Sequence, residues 1–168
     1  MHPSADWIIQ QLGLKPHVTC GFTSETYVSE LQIPAGSLPA EYRGGRPLGG
    51  VLYFLVTPQA GVRLHRIRSD QMYHHYFGDP LEVLLVYPDG TGDVQVVGSD
   101  LAAGLRPQLP IPGGTFHAGR VRGGSAGYAL LGTSVWARAE PADVELGDPE
   151  QLLAAYPAAR EAITQFMA

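Results

Sequence analysis

The chain has 168 residues, a length that suits one domain with a single sizeable core. Apolar residues make up 45% of it and charged residues 16%, which excludes a disordered chain, and no apolar run reaches the roughly 18 residues that would cross a membrane. The net charge of -5, from 16 acidic and 11 basic residues, argues against nucleic acid and against an anionic membrane surface as partners.

Cysteine content and the first residues indicate the compartment. Cys20 is the only cysteine, so an internal disulfide cannot form. Asp6 interrupts the first apolar stretch, which lacks the basic start and the apolar centre of a signal peptide. We therefore expect a cytoplasmic protein.

In chain order, the first predicted element is a short amphipathic helix over residues 4–14, with Ser4 as its N-cap. Short alternating or wholly apolar runs then predict nine strands, over residues 25–31, 51–56, 62–67, 71–77, 81–87, 93–97, 108–111, 115–121 and 128–136. The 21 Gly and 14 Pro concentrate in the turns, as is typical of antiparallel sandwiches and barrels. No strand–helix–strand alternation is present, so the sequence predicts an all-β fold.

Two further segments complete the chain. Residues 34–50 are rich in Gly and Pro and predict a long connection that either borders a site or is disordered. Apolar residues at helical spacing near the C-terminus predict two short helices, with Asp148 as N-cap, Pro149 at the first position and Pro157 between them. No linker divides the chain, so residues 1–168 are predicted to form a single domain.

Histidines in the predicted strands mark the candidate site. Side chains alternate between the two faces of a strand, so Gln71, Tyr73, His75 and Phe77 share one face of the strand over 71–77. His65 lies near the end of the preceding strand, and the turn between these strands can fold it alongside Gln71. A Pro-Gly-Gly turn at 112–114 leads into the strand that carries His117.

These residues resemble the two sequence motifs of the cupins. The stretch 61–78 is similar to the first motif, G(x)5HxH(x)3-4E(x)6G, with His65 at its first histidine, Ile67 at its second and Gln71 at its glutamate. The sequence PGGTFH at 112–117 is similar to the second motif, PxGxxH, which supplies the fourth metal ligand in metal-binding cupins.

A closer resemblance is to the cupin-5 (DUF985) group, and it covers almost the whole chain. Segments similar to those of the group recur in the right order at 16–27, 65–82, 105–108 and 145–157. The resemblance implies a cupin double-stranded β-helix, that is a jelly-roll barrel, with short N- and C-terminal helices. It also implies a homodimer formed through the sheet and a likeness to deoxysugar epimerases, but no particular reaction.

Departures from the family pattern define the expected metal ligands. Ile67 replaces the second cupin histidine and Gln71 stands where the group usually has glutamate, whereas His75 and His117 add imidazoles. The candidate ligands are therefore His65, His75 and His117, with Gln71 as an optional fourth. Three neutral imidazoles with an open position resemble a catalytic centre, and without an anionic ligand a divalent ion keeps its full charge for an enolate, carboxylate or hydroxide. Zn, Fe, Ni, Cu and Mn all accept imidazole, so the metal is not identified.

Two other residues are candidates for catalysis. Tyr73 shares the face of Gln71 and His75 and could donate its hydroxyl to a substrate or act as an acid; the alternative is a core aromatic. Glu25, in a segment similar to the RETY sequence of the group, could be a carboxylate in the pocket.

The sequence thus favours a metal-dependent cupin enzyme that acts on a small organic molecule inside the barrel. The reaction would be isomerisation, cyclisation, elimination, hydration or oxygenation, which makes the protein a lyase, an isomerase or cyclase, or a dioxygenase. Two alternatives remain open. One is a metal-free cupin that binds a small molecule, and the other is a metal-free sugar epimerase or isomerase that uses a histidine and Tyr73 as base and acid.

Overall fold

The structure is a computed structural model that describes residues 3–167 of the predicted domain. Within this range the helices are α1 (Ala5–Leu12), α2 (Pro149–Ala155) and α3 (Arg160–Met167). The strands are β1 (Lys15–Pro16), β2 (Phe22–Val28), β3 (Gln32–Ile33), β4 (Arg46–Pro47), β5 (Gly50–Val56), β6 (Val62–Ile67), β7 (Asp70–Gly78), β8 (Leu81–Val86), β9 (Gly92–Val97), β10 (Gln108–Ile111), β11 (Phe116–Val121), β12 (Ala129–Trp136) and β13 (Val144–Leu146). Short 3-10 turns occur at Ala40–Tyr42, Pro141–Asp143 and Pro157–Ala159.

Two antiparallel sheets form the body of the protein. The first sheet has the order β1-β2-β5-β12-β7-β10, and the second has the order β13-β6-β11-β8-β9; β3 and β4 form a separate ribbon. Apolar side chains of both sheets meet between them, including Phe54 and Leu131 from the first and Val83 and Leu85 from the second. The prediction of an all-β jelly-roll with short terminal helices is confirmed, and we refer to the space between the sheets as the lumen.

A helix packs on part of the outer face of each sheet. Ile8 of α1 packs with Leu55 and Leu130 on the first sheet, and Ile163 of α3 packs with Leu84 on the second. Both ends of α1 follow from the sequence, because Ser4 accepts a hydrogen bond from the N–H of Trp7 and Gly13 adopts the left-handed conformation that ends a helix. None of the helices in residues 3–167 has the length and apolar character needed to cross a membrane.

Each of the nine predicted strands is present within a few residues of its predicted bounds. Residues 62–67 and 108–111 match to the residue. The additional strands are very short, two residues each for β1, β3 and β4 and three for β13, and none has an apolar run that a sequence pattern could detect.

The connection over residues 34–50 is anchored by buried polar contacts. Arg46 donates from Nε and Nη2 to the carboxylate of Asp143, at 3.2 and 3.1 Å, and both side chains are buried. The hydroxyls of Tyr42 and Ser69 are 3.1 Å apart, which ties the same connection to the turn between β6 and β7. Of the two predicted alternatives, a segment beside a site fits these contacts, because that turn leads directly to Gln71.

Candidate functional site

His65 and His117 face each other in the lumen. They are direct partners in the pairing of β6 with β11, their ring centroids are 4.2 Å apart, and they are 4% and 0% exposed. The register of the two strands shifts between His117 and Gly119, where β6 uses one more residue than β11. This irregularity keeps both Val62 and His65 buried, although three positions separate them.

Backbone carbonyls determine which nitrogen of each ring carries the proton. Nδ1 of His65 lies 2.7 Å from the carbonyl oxygen of Arg63, and Nδ1 of His117 lies 3.1 Å from that of Thr115. Because a carbonyl only accepts, each Nδ1 carries a hydrogen and donates it, and Nε2 of each neutral ring keeps its lone pair. Burial lowers the pKa of His65 and lowers the pKa of His117 well below its usual value, so both rings are neutral at pH 7.

Gln71, on β7 of the first sheet, contacts the imidazole of His117. Its Nε2 lies 3.2 Å from Nε2 of His117 and donates to that lone pair, while the hydroxyl of Thr133 lies 3.5 Å from its Oε1. Both side chains are 6% exposed. A half-turn of the amide would present its oxygen, instead of its nitrogen, to the space beside His117.

His75 does not join this group, contrary to the expectation of three converging imidazoles. It is buried on the same face of β7 as Gln71, but it lies four residues further along, about 13 Å at the rise of an extended strand. There its Nε2 donates to the carbonyl oxygen of Asp79 at 3.0 Å. Within residues 3–167, no three His, Cys, Asp or Glu side chains are arranged to hold a metal ion.

Tyr73 lies between Gln71 and His75 with its hydroxyl free. The side chain is 1% exposed, its ring centroid is 6.0 Å from that of His117, and no group in the described part of the chain accepts its hydroxyl hydrogen. Burial raises the pKa of Tyr73 well above its usual value, so the hydroxyl keeps its proton. The residue is therefore both a core aromatic and an available donor. We refer to His65, Gln71, Tyr73, His117 and Thr133 as the lumen cluster.

Glu25 lies away from the lumen cluster. Its side chain is 45% exposed, and Arg138 donates to both of its oxygens, from Nε at 2.9 Å and from Nη2 at 3.3 Å. The pairing of β2 with β5 is irregular just after Glu25, near the end of β2. The carboxylate expected in the pocket is thus an exposed, ion-paired one.

Three further residues at the lumen lacked a clear signal in the sequence. Thr133 was part of a predicted strand, but only its pairing with Tyr73 across β12 and β7 brings it beside Gln71. The hydroxyl of Thr115 is buried and has no partner among residues 3–167. Cys20 packs against the apolar core, where burial raises the pKa of its thiol to about 11.

Comparisons with known proteins agree with this architecture. The family model Cupin_5, described as cupin superfamily (DUF985), matches residues 6–146. A hypothetical protein from Leishmania major is 28% identical with a TM-score of 0.85, covering 97% of this chain and 98% of its own. A Shewanella oneidensis protein from structural genomics is 30% identical with a TM-score of 0.81, covering 97% and 96%. Oxalate decarboxylase of Bacillus subtilis is 13% identical with a TM-score of 0.53, covering 93% of this chain and 37% of its own, a likeness of fold alone. No curated protein sequence matches the chain.

Proposed function

Because the chain belongs to the Cupin_5 (DUF985) family of the cupin superfamily, we propose that it is a metal-dependent enzyme that acts on a small organic molecule in the lumen. The observation that carries this proposal is the facing pair His65 and His117. In each ring a backbone carbonyl holds Nδ1 and leaves the lone pair on Nε2. The lone pair of His65 is available to a ligand or a cation, whereas that of His117 accepts a hydrogen bond from Gln71 that such a group would displace.

In this proposal the lumen cluster holds a divalent transition-metal ion that keeps open coordination positions. His65 and His117 would bind it through Nε2, and Gln71 would bind it through Oε1 once its amide has turned. This set has one imidazole fewer than the sequence predicted, so we expect an exchangeable ion of the group Zn, Fe, Ni, Cu and Mn. When bound, such an ion supplies a Lewis acid that polarises a carbonyl or carboxylate, or that lowers the pKa of water.

The protein's own side chains would orient the substrate. The hydroxyl of Tyr73 donates to a substrate oxygen, which satisfies a buried donor that otherwise has no partner among the described residues. The hydroxyl of Thr133, 3.5 Å from Oε1 of Gln71, restrains the amide of Gln71. Phe54 and Leu131 form an apolar wall that excludes water. We propose a substrate with a carbonyl or carboxylate and a reaction of the isomerisation, elimination, hydration or oxygenation type.

Metal analysis of protein purified without a polyhistidine tag tests this function. After incubation with each candidate metal and removal of the excess, we expect about one equivalent in the wild type and loss of binding in His65→Ala and His117→Ala. His75→Ala is the matched control, because this buried histidine of β7 bonds Asp79 and should leave the metal content unchanged. Less than about 0.2 equivalents of every metal in the wild type would refute the proposal.

A second candidate is a metal-free cupin that binds or isomerises a small molecule. The hydrogen bond of 3.2 Å from Gln71 to His117 favours it, because this bond already uses the lone pair that a metal would take. In that case a ligand hydroxyl would donate to Nε2 of His65, and Tyr73 would donate to the ligand or act as the acid of an epimerase. A small-molecule ligand that stabilises metal-free wild type but not His65→Ala would support this second function.

A further inference from the structure

A groove lies on the outer face of the first sheet, between α1 and the strands β5, β12 and β7. Its volume is about 310 Å³, at the lower end of the range of small-molecule sites. Trp7 and Gln11 line it from α1, and Tyr53, Tyr76 and Phe77 line it from the sheet. Trp7, Tyr76 and Phe77 are 54%, 42% and 40% exposed, and grouped exposure of large apolar side chains marks interaction sites. We refer to this groove as the aromatic groove.

An extra residue in β7 builds one wall of the aromatic groove. The register of β7 against β12 shifts between His75 and Phe77, which leaves Tyr76 as the extra residue. In a regular strand Tyr76 and Phe77 would face opposite sides of the sheet, but this bulge turns both rings to the outer face. Bulges that re-aim side chains are concentrated next to functional sites. The bulge therefore directs attention to the outer face of β7.

Gly132 makes room for the ring of Tyr76. Gly132 belongs to the central strand β12, and a Cβ at this position would collide with the hydroxyl oxygen of Tyr76. Tyr53, directly opposite Gly132 on β5, meets the ring of Tyr76 at a centroid distance of 5.8 Å and an interplanar angle of 78°. A glycine inside a strand weakens the sheet and often marks a close approach of another group. The bulge and the glycine are thus two separate departures from a regular sheet, and both arrange aromatic rings around the same groove.

The chemistry of the lining restricts what the aromatic groove can bind. Among the described residues that line it, none is charged at pH 7, and the polar groups are the amide of Gln11 and the hydroxyls of Tyr53 and Tyr76. A charged ligand would lose its hydration there without gaining an opposite charge, whereas aromatic rings favour a second aromatic ring. The groove has eight lining residues, far fewer than the roughly 20 to 30 on each side of a stable protein–protein interface. Its size therefore suits a small molecule better than a second copy of the chain.

We propose that the aromatic groove is a second binding site, outside the lumen, for a small uncharged aromatic molecule. The ring of this ligand packs against Trp7, Tyr76 and Phe77, and a hydroxyl or N–H group on the ligand donates to the amide oxygen of Gln11. The site goes beyond the function proposed for the lumen, because no member of the lumen cluster lines the aromatic groove.

Calorimetric titration of the full chain at pH 7 tests the site with 2-naphthol, which is uncharged at this pH. 2-Naphthoate has the same ring system with a carboxylate and is the matched charged probe. We expect saturable binding of 2-naphthol to one site per chain, with an affinity at least about tenfold higher than that of 2-naphthoate. Absence of saturable 2-naphthol binding, or equal affinity for the two probes, would overturn the proposal and would leave the function of the lumen untouched.

Two exposed tryptophans provide a matched pair of variants. Trp7 lines the aromatic groove, whereas Trp136, 49% exposed at the end of β12, does not. Trp7→Ala should weaken 2-naphthol binding at least about fivefold, and Trp136→Ala should leave it unchanged. Thermal unfolding checks that both variants fold, and an equal effect of the two substitutions would contradict the assignment.

A second copy of the chain is the competing occupant of the aromatic groove. Light scattering of the wild type and of Trp7→Ala distinguishes the two occupants. We expect the oligomeric state to be the same in both proteins. A wild-type dimer that becomes a monomer in Trp7→Ala, without 2-naphthol binding by the wild type, would overturn the ligand site in favour of an interface between copies.

Discussion

Arg46 and Asp143 form a buried ion pair whose disruption gives a quantitative test of the structure. Both residues are 5% exposed, and two hydrogen bonds join the guanidinium to the carboxylate. Asp143→Ala removes the carboxylate and leaves the charge of Arg46 where little water reaches it. Loss of one partner of a buried pair costs about 3 to 5 kcal/mol, because the remaining charge is uncompensated.

The surroundings of Arg46 place the expected loss within that range. The carboxylate of Glu140, 3.6 Å from Nη2 of Arg46 and 44% exposed, keeps part of the charge compensated, so we expect about 3 kcal/mol from the pair. Asp143 also accepts a hydrogen bond of 2.9 Å from the N–H of Glu140, and loss of this bond adds about 1 kcal/mol. Asp143→Ala should therefore lower the free energy of unfolding by about 4 kcal/mol.

Urea unfolding of four proteins measures this effect: the wild type, Asp143→Ala, Arg46→Met and the double variant. The double variant should be more stable than Asp143→Ala alone, because it leaves no unpaired buried charge. The charges that lose a partner, Glu140 and Arg68, are 44% and 40% exposed and stay hydrated. A loss below about 1 kcal/mol for Asp143→Ala, the range of exposed ion pairs, would refute the reasoning. So would a double variant that is no more stable than the single one.

Three further predictions concern the thiol, the imidazoles and the oligomeric state. Because the pKa of Cys20 is raised to about 11, iodoacetamide at pH 8 should label the folded protein at least about tenfold more slowly than the urea-unfolded protein, and equal rates by mass spectrometry would contradict this. Burial lowers the pKa of His65 and His117 from 6.5, so below pH 6.5 the unfolded chain binds more protons than the folded metal-free protein. The free energy of unfolding of the metal-free protein should be at its full value above pH 6.5 and should decrease as the pH falls below 6.5. His117→Gln should make this decrease shallower. An unchanged slope in the variant would contradict the lowered pKa of His117. Tyr76 and Trp136 are 42% and 49% exposed on the outer face of the first sheet, where we predict that a homodimer forms. Light scattering should then give twice the chain mass of 18.0 kDa. Tyr76→Arg should yield the monomer, and a monomeric wild type would rule out this homodimer.

Alternation along β7 correctly predicted three of the side chains that enter the lumen. On β7, Gln71, Tyr73 and His75 are buried as expected, whereas His74 is less buried and its Nε2 lies 3.1 Å from the hydroxyl of Ser134. This part of the prediction succeeds because the period of two residues is a property of the extended backbone itself. The assignment ends at an irregularity: Phe77, expected on the same face, is 40% exposed, because the register of β7 against β12 shifts between His75 and Phe77.

Depth within the lumen was not predictable in the same way. Neighbouring positions on one face of a strand are about 6 to 7 Å apart, and Gln71 and His75 are separated by two such steps, so they share a face without sharing a ligand. The meeting of Gln71 with Thr133 depends on the register of β7 against β12, which shifts at Leu130 and Leu131. No local pattern encodes such a shift. For the same reason, the ion pair of Glu25 with Arg138, 113 residues away in the chain, could not be foreseen.

The carbonyls that orient His65 and His117 each belong to the residue two positions earlier in the same chain segment, Arg63 and Thr115. Each imidazole is therefore aimed by its own main chain and does not depend on a side chain that a distant substitution could remove. Residues elsewhere in the interior could change in size or polarity over evolution while both rings kept their direction. Such a scaffold can acquire a new chemistry by altering the walls and leaving the two aimed nitrogens in place.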